Sequence, residues 1–441
     1  MIREITAQTL ESIQNPAFRE YASRYVHIYQ DFMAQVESMG LEIAPEEDAQ
    51  VYWTEIQRLK ESGAILRNDC KSVVVNQISP ACVACQTAAA SVTYFISLKC
   101  HRNCFFCFNP NQENYEYYRE NLVDVAAELT KLHQSGKTVR QLALTGGEPL
   151  LHKSETVRYF ETARKLFPKA ETRLYTSGDH IDRDILERLR NAGLDEIRFS
   201  IRIYDLEKGR QFTLERIALA KEFIPRVMVE MPVMPDALDE MKAILLQLDE
   251  IGIFGINLLE LCFPFSQAEE FRRRGYQVKA HPFRVLYDYW YAGGLPIAGS
   301  EAVCLQLVDF ALQAGLKMGV HYCSLENKHS GQVYQQNKDG RHAPWLYFSE
   351  RDYFLKSAKV FGGDIAVVKK LFNAYSFDRY TLNTELGYLE FPIGKIKWLR
   401  KLNVEVGIST QIQEQRQGEL LLRELKIDWT TPQLFDLEKD A

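Results

Sequence analysis

From Ser91 to about Cys262 the chain repeats one unit: a short apolar run, then a longer stretch with apolar side chains at spacings of three and four. The runs SVTYFISL, VRQLAL, TRLYT, DEIRFSI, RVMVEM and FGINLLEL read as strands. Between them, helices are predicted around Leu122, Val125, Ala126, Leu129 and Leu132, around Val157, Phe160 and Phe167, from Ile181 to Gly193, over TLERIALAKEF, and around Leu238, Met241, Leu245 and Leu248. A sixth helix is harder to place. Strands that alternate with helices lie parallel, with the helices packed outside. The expected fold is therefore α/β: an open, six-stranded partial (β/α)6 barrel within residues 91–330.

The flanks follow other patterns. In residues 1–90, Tyr25, Ile28, Tyr29, Phe32 and Val36 share one helical face. A second helix starts near Pro45, carries Val51, Ile56 and Leu59, and ends near Gly63. The stretch NDCKSVVVNQISPACVACQ then reads as an irregular, cysteine-bearing loop. After Pro264 the regularity weakens, with helices near Val285–Tyr291 and Val303–Leu312, a Gly293-Gly294 break and a short strand LKMGVHY. GQVYQQNKDG is polar and turn-rich and predicts a linker. Residues 331–441, with a helix over 365–372 and strand-like NVEVGIS and GELLLREL, predict a small α+β accessory domain.

At 441 residues and 46% hydrophobic, the chain has room for one large domain and one or two small ones. Its net charge of -6 argues against general nucleic-acid affinity. No apolar run is long enough to span a bilayer, and MIREITAQTLESIQ lacks the apolar core of a signal peptide. A cytoplasmic, reducing setting is expected. The nine cysteines fit that setting, since they cluster at metal-ligand spacings instead of forming a disulfide framework.

Cys100, Cys104 and Cys107 follow the first strand as C-x3-C-x2-C. Three thiols leave a metal site one ligand short. A 4Fe-4S cluster that only carries electrons takes four, so three imply an iron left open for a substrate or cofactor. The second strand ends in Leu144-Thr145-Gly146-Gly147-Glu148-Pro149, where paired glycines let a ligand approach the main chain. Together the two motifs resemble the radical S-adenosylmethionine (radical SAM) superfamily over about residues 91–262. The resemblance implies a 4Fe-4S cluster on Cys100, Cys104 and Cys107, with S-adenosylmethionine (SAM) on its open iron. Reductive cleavage would then give a 5'-deoxyadenosyl radical that abstracts a hydrogen atom from substrate. It further implies that Gly146, Gly147 and Glu148 receive the SAM amino group, that Phe106 lies against adenine, and that an electron donor such as flavodoxin or ferredoxin serves the cluster.

Other strand ends supply further candidates, because ligands of parallel strand-helix folds sit at the C-terminal ends of strands. Ser177 and Ser200 can bond the ribose, and Arg202 can take a carboxylate or form an ordinary salt bridge. Glu230 and Glu260 can position substrate or remain solvated. The remaining cysteines leave two arrangements open. Cys82 and Cys85 form a C-x2-C, half of a metal site, but a seven-residue strand of roughly 23 Å separates their end of the barrel from Cys323. If the 70–90 loop wraps upward, Cys82, Cys85, Cys323 and one of Cys70 or Cys304 make a second iron-sulfur or single-metal site. Otherwise Cys70, Cys82 and Cys85 make a lower site, and Cys323 is a catalytic hydrogen-atom or electron donor. His321 is a spare ligand or a hydrogen-bonded structural residue. The substrate reads as a peptide or protein, with a small molecule as the rival and a non-catalytic iron-sulfur redox sensor as the reading from another class.

Overall fold

The computed structural model describes residues 2–280, 294–339, 343–416 and 418–440. The predicted helix at Val285–Tyr291 and the Gly293 break lie outside them. The chain divides into two compact units, one combining residues 1–38 with 332–441 and the other lying within 39–331. No helix among the described residues is long and apolar enough to cross a membrane.

The chain begins with α1 (Pro16–Ser38) and α2 (Ala49–Glu61), followed by β1 (Ile65–Arg67), β2 (Ser72–Val75) and α3 (Pro80–Cys85). The alternating series comprises β3 (Ser91–Phe95), α4 (Tyr115–Glu120), α5 (Val125–Gln134), β4 (Gln141–Thr145), α6 (Lys153–Leu166), β5 (Glu171–Thr176), α7 (Arg183–Asn191), β6 (Glu196–Phe199), α8 (Glu207–Lys221), β7 (Arg226–Val233), α9 (Leu238–Ile251) and β8 (Gly255–Glu260). A small ladder of β9 (Cys262–Phe263) and β10 (Leu295–Pro296) flanks α10 (Ala268–Arg273), and then α11 (Ser300–Gln313), β11 (Gly319–Cys323) and α12 (Leu325–Asn337) follow.

These strands form a nine-stranded sheet in the order β1-β2-β11-β8-β7-β6-β5-β4-β3. Strands β3 to β8 are parallel as predicted, and β11 adds a seventh parallel strand beside β8. The hairpin β1-β2 extends the sheet antiparallel from β11. The six-strand count therefore falls short, and the stretch 70–90, expected as a loop, contains the strand β2 and the helix α3 joined by turns. β2 escapes a period-two search because Ser72, Val73, Val74 and Val75 are all buried, which leaves no polar alternation to read. The helix missing after β8 is α11, displaced in sequence by the small ladder and α10.

Strand alternation sorts the two faces of the sheet. Ile197, Phe199, Leu174, Ile256 and Leu258 are fully buried on the helix-covered face. The opposite face carries Arg173, Tyr175, Glu196, Arg198, Glu230, Asn257 and His321, a polar set for a parallel sheet.

The other unit holds β12 (Tyr347–Phe348), β13 (Leu355–Phe361), α13 (Asp364–Ala374), β14 (Thr381–Asn383), β15 (Tyr388–Phe391), β16 (Val406–Arg416), β17 (Glu419–Thr430) and α14 (Leu437–Asp440). Its antiparallel sheet runs β14-β15-β13-β16-β17. Phe372, Phe391, Ile393, Ile396 and Leu399 form its main core, and α1 packs a second one, with Phe18 stacked on Phe361 at 4.6 Å. The N-terminal helix thus belongs to the same unit as the C-terminal sheet. The predicted linker at 330–340 is mostly helix, as α12 runs to Asn337, whose buried amide donates to the Tyr353 carbonyl at 2.8 Å. Its polar side chains read as a turn because their partners are far away in sequence.

Candidate functional site at the strand ends

The cysteine segment leaves β3 held on both sides. Val123 N donates to the Ile96 carbonyl at 2.8 Å and Leu98 N to the Tyr118 carbonyl at 2.9 Å. Below it, Gly147 N donates to the Ser97 carbonyl at 3.1 Å and Glu148 N to the Lys99 carbonyl at 2.9 Å. The approach is so close that a Cβ on Gly147 would stand 1.9 Å from the Lys99 carbonyl oxygen, and one on Gly146 2.6 Å from that of Ser97. Gly146 also has φ +117°, a conformation that side chains disfavour. The paired glycines are required by the cysteine segment itself. From the far side, Asn109 Nδ2 donates to the Gly146 carbonyl at 2.6 Å.

A second brace comes from the loop after β5. Asp179 accepts from Arg102 Nε at 2.7 Å and Nη2 at 2.6 Å, and pairs with His101 Nε2 at 2.6 Å. Burial opposes ionisation of Asp179, but hydrogen bonds from Arg102 and His101 and the charge of Arg202 outweigh it, holding the carboxyl well below the usual range. The loop carrying the three thiols is therefore pinned at its first turn. Phe105 anchors its middle, buried against Phe271 and Tyr204 with Arg274 over its ring at 4.7 Å.

Cys100, Cys104 and Cys107 are free thiols, each with some solvent access. They lie near enough that Cys104 raises both of the others, although burial is the larger cause. Cys107 N donates to the Cys104 carbonyl at 3.0 Å, turning the loop back on itself. No three His, Cys, Asp or Glu side chains among the described residues could hold one metal ion. Three neighbouring free thiols on one loop are nonetheless the donor type that an iron-sulfur cluster takes, so the donor set fits that group.

The other predicted cofactor residues fall on the same rim with differing engagements. Glu148 is buried and accepts from Leu150 N at 3.1 Å, Thr176 Oγ1 at 2.8 Å and Ser177 N at 2.7 Å. Its carboxylate ties the ends of β4 and β5 together. Ser177 Oγ accepts from Asp179 N at 3.3 Å, and Ser200 N donates to the Thr176 carbonyl at 3.1 Å. Arg202 pairs with Asp205 at 3.0 Å and Asp179 at 3.6 Å, while its buried Nη2 has no hydrogen-bond partner. Phe106 is half-buried, edge-on to Phe105 and Tyr204. Sequence reasoning missed Asp179, Arg102 and Asn109. The available signal was an aspartate just past Thr176-Ser177-Gly178, at the same strand-end level as a histidine and an arginine between the first cysteines.

Beneath the rim the polar face forms one hydrogen-bonded network. Arg198 donates to Glu196 at 2.6 Å, Glu230 at 2.5 Å, Ser79 at 3.1 Å and the Cys82 sulfur at 3.3 Å. Asn257 Nδ2 donates to Glu230 at 2.7 Å and to Cys82 at 3.2 Å, and its oxygen faces His321 Nδ1 at 2.9 Å. The Glu230 carboxylate fixes that amide orientation, so His321 donates from Nδ1 and accepts from Ser72 at Nε2, 2.8 Å away. Burial and the Arg198 charge push His321 down to about 3, keeping it neutral.

Cys82 therefore faces the strands' polar side, carried there by α3. Cys85 is accessible to solvent yet crowded by protein, and that crowding raises its thiol, aided by Cys82 and opposed by Arg173. Cys323 is buried, accepts from Asn327 Nδ2 at 3.2 Å, and is pushed up to about 12 by burial. Asn257 bonds both Cys82 and His321, which lies two residues before Cys323 on β11, so α3 brings Cys82 to the sheet face that carries Cys323. Cys70 lies at the Cys323 end of the sheet: β2 pairs antiparallel with β11, Ser72 opposite Cys323, and Ser324 N donates to the Lys71 carbonyl at 3.2 Å, while α3 follows β2 from its other end. Cys304 is buried on α11.

Residues 94–248 match the model of the Radical SAM superfamily. The chain is 28% identical over 243 residues to a Methanocaldococcus jannaschii protein provisionally described as a glycyl-radical enzyme activating enzyme, covering 53% of this chain and 60% of that one. It is 31% identical over 120 residues to an Archaeoglobus fulgidus protein provisionally described as a GTP 3',8-cyclase, covering 27% of this chain and 37% of that one. Among solved structures, Streptococcus suis SuiB bound to precursor peptide SuiA aligns with a TM-score of 0.40 at 12% identity, over 72% of this chain and 67% of that one. The similarity to the radical SAM superfamily is thus carried by residues 94–248, and the chain spans less than two thirds of the length of the curated relatives it matches.

Two substitutions test the bracing. Gly147→Ala forces the cysteine segment off its main-chain partners, and iron bound after anaerobic reconstitution should fall below half the wild-type amount. Hydrogen bonds to charged groups contribute about 1.5–3 kcal/mol each, so Asp179→Asn should also lower iron occupancy while leaving the fold intact by circular dichroism. Full iron content in either variant would show that its brace is dispensable.

Proposed function

We propose that this chain holds a 4Fe-4S cluster on Cys100, Cys104 and Cys107 and uses it to cleave SAM. When bound, the cluster supplies the electron that yields methionine and a 5'-deoxyadenosyl radical, which abstracts hydrogen from substrate. The observation supporting this most is the three-thiol loop braced between the Gly146-Gly147 backbone and Asp179 at the ends of parallel strands. Around that loop, the main chain at Gly146 to Glu148 receives the amino group of SAM. Arg202, whose Nη2 stands 3.6 Å from Asp179 without a hydrogen bond, serves its carboxylate, Ser177 and Ser200 its ribose, and Phe106 its adenine.

Substrate enters the polar interior beneath. A peptide or protein substrate is favoured, supported by the description of the M. jannaschii relative as an activating enzyme. A compact small molecule is the second reading, favoured by the ionic network around Arg198. Cys82 and Cys85 are the thiols for an auxiliary metal, and Cys323 donates a hydrogen atom or electron to the substrate radical. A flavodoxin or ferredoxin supplies reducing electrons.

The anaerobically reconstituted protein, given dithionite and SAM, should form 5'-deoxyadenosine measurable by chromatography. Cys104→Ala should reduce it at least a hundredfold. No 5'-deoxyadenosine from wild type, or an equal amount from the variant, would contradict the proposal.

A further inference from the structure

Among the described residues, not every cation of the polar interior has an ion-pair partner. Arg198 is satisfied by Glu196 and Glu230, and Arg226 pairs with Glu171 at 3.2 Å and Glu196 at 3.4 Å. Two further cations reach the same space without an ion pair among the described residues. Arg173 lies on β5 opposite Glu196 in register, on the face that carries Arg198. Its Nε is buried and has no hydrogen-bond partner. Its guanidinium stands 5.3 Å from the Tyr175 ring centroid, and that of Arg198 stands 5.5 Å from the same centroid. Lys328, in the first turns of α12, is near enough to Glu230, Cys262 and Cys323 for its charge to act on all three.

Glu230, on the central strand β7, feels both Lys328 and Arg173. Among the described residues Arg198 is matched by Glu196 and Glu230, while Arg173 and Lys328 have no ion pair of their own. A partly buried guanidinium with an unmet donor is costly. The usual reason to keep one is a ligand that completes it.

We infer that Arg173 and Lys328 form an anion subsite in the barrel interior that binds a carboxylate or phosphate group of the substrate. The inference rests on the proposed function only in calling the occupant substrate; the anion site can be tested by itself. Arg173 offers a fork from β5, pre-oriented by the Tyr175 ring, and Lys328 offers a mobile charge from the α12 side. Bound between them, an anion neutralises their charge and meets the open Arg173 donor. The site also excludes cationic groups, which would add to three like charges.

Equilibrium dialysis of the reconstituted holoenzyme with labelled inorganic phosphate, and separately with labelled malonate, tests this at fixed ionic strength. About one site per chain is expected for at least one probe, and the preferred probe identifies the source as phosphate or carboxylate. Arg173→Gln and Lys328→Gln should each weaken it about tenfold or more, and Arg173→Lys should retain part of it. Binding of neither probe, or binding equally strong in both glutamine variants, would overturn the inference. SAM cleavage by wild type is read independently, so failure here leaves that reading in place.

Discussion

The contact on which the site depends is between two stretches of main chain. The turn after β4 passes directly beneath the segment leading to Cys100, close enough that only glycine fits at 146 and 147. A ladder of peptide hydrogen bonds there holds the cysteine loop to the sheet. Because backbone groups do this, side chains remain available for ligands. Glu148 extends the brace to β5, and Asp179 closes it by seizing Arg102 and His101. The result is a preorganised loop whose position is inherited from rigid parallel strands, the arrangement that precise chemistry requires.

Below this rim the sheet departs from the apolar interior usual for parallel strands. Arg198, Glu196, Glu230, Asn257 and His321 occupy inward positions, and each hydrogen bond constrains the next. Such a network stabilises little compared with packed apolar groups. It does hold Cys82 and the neighbouring strands in a defined arrangement, and it leaves Arg173 and Lys328 unspent. Stability comes instead from the helix-covered face, where Leu174, Ile197, Phe199 and Ile256 are fully buried.

Much of this was legible in the sequence. The six parallel strands, the helices between them and the placement of the cysteine and Gly-Gly motifs at strand ends follow from periodicity and turn chemistry. What escaped did so for identifiable reasons. Ser72–Val75 is buried throughout and carries no alternation. Lys338-Asp339-Gly340 made the end of α12 look like a turn, while Asn337 is held by Tyr353 and Gln413. The convergence of Cys82 and Cys323 depends on α3 crossing the polar face, a long-range fact that spacing cannot encode. Asp179 was hidden likewise, since its partners lie 77 and 78 residues away.

The most direct measurement is the electron paramagnetic resonance spectrum of the reduced, reconstituted protein before and after SAM is added. Three thiol ligands leave one iron open, so the account predicts a reduced 4Fe-4S signal whose g-values shift when SAM binds. A protein that assembles no such cluster, or a signal that SAM leaves unchanged, would contradict it.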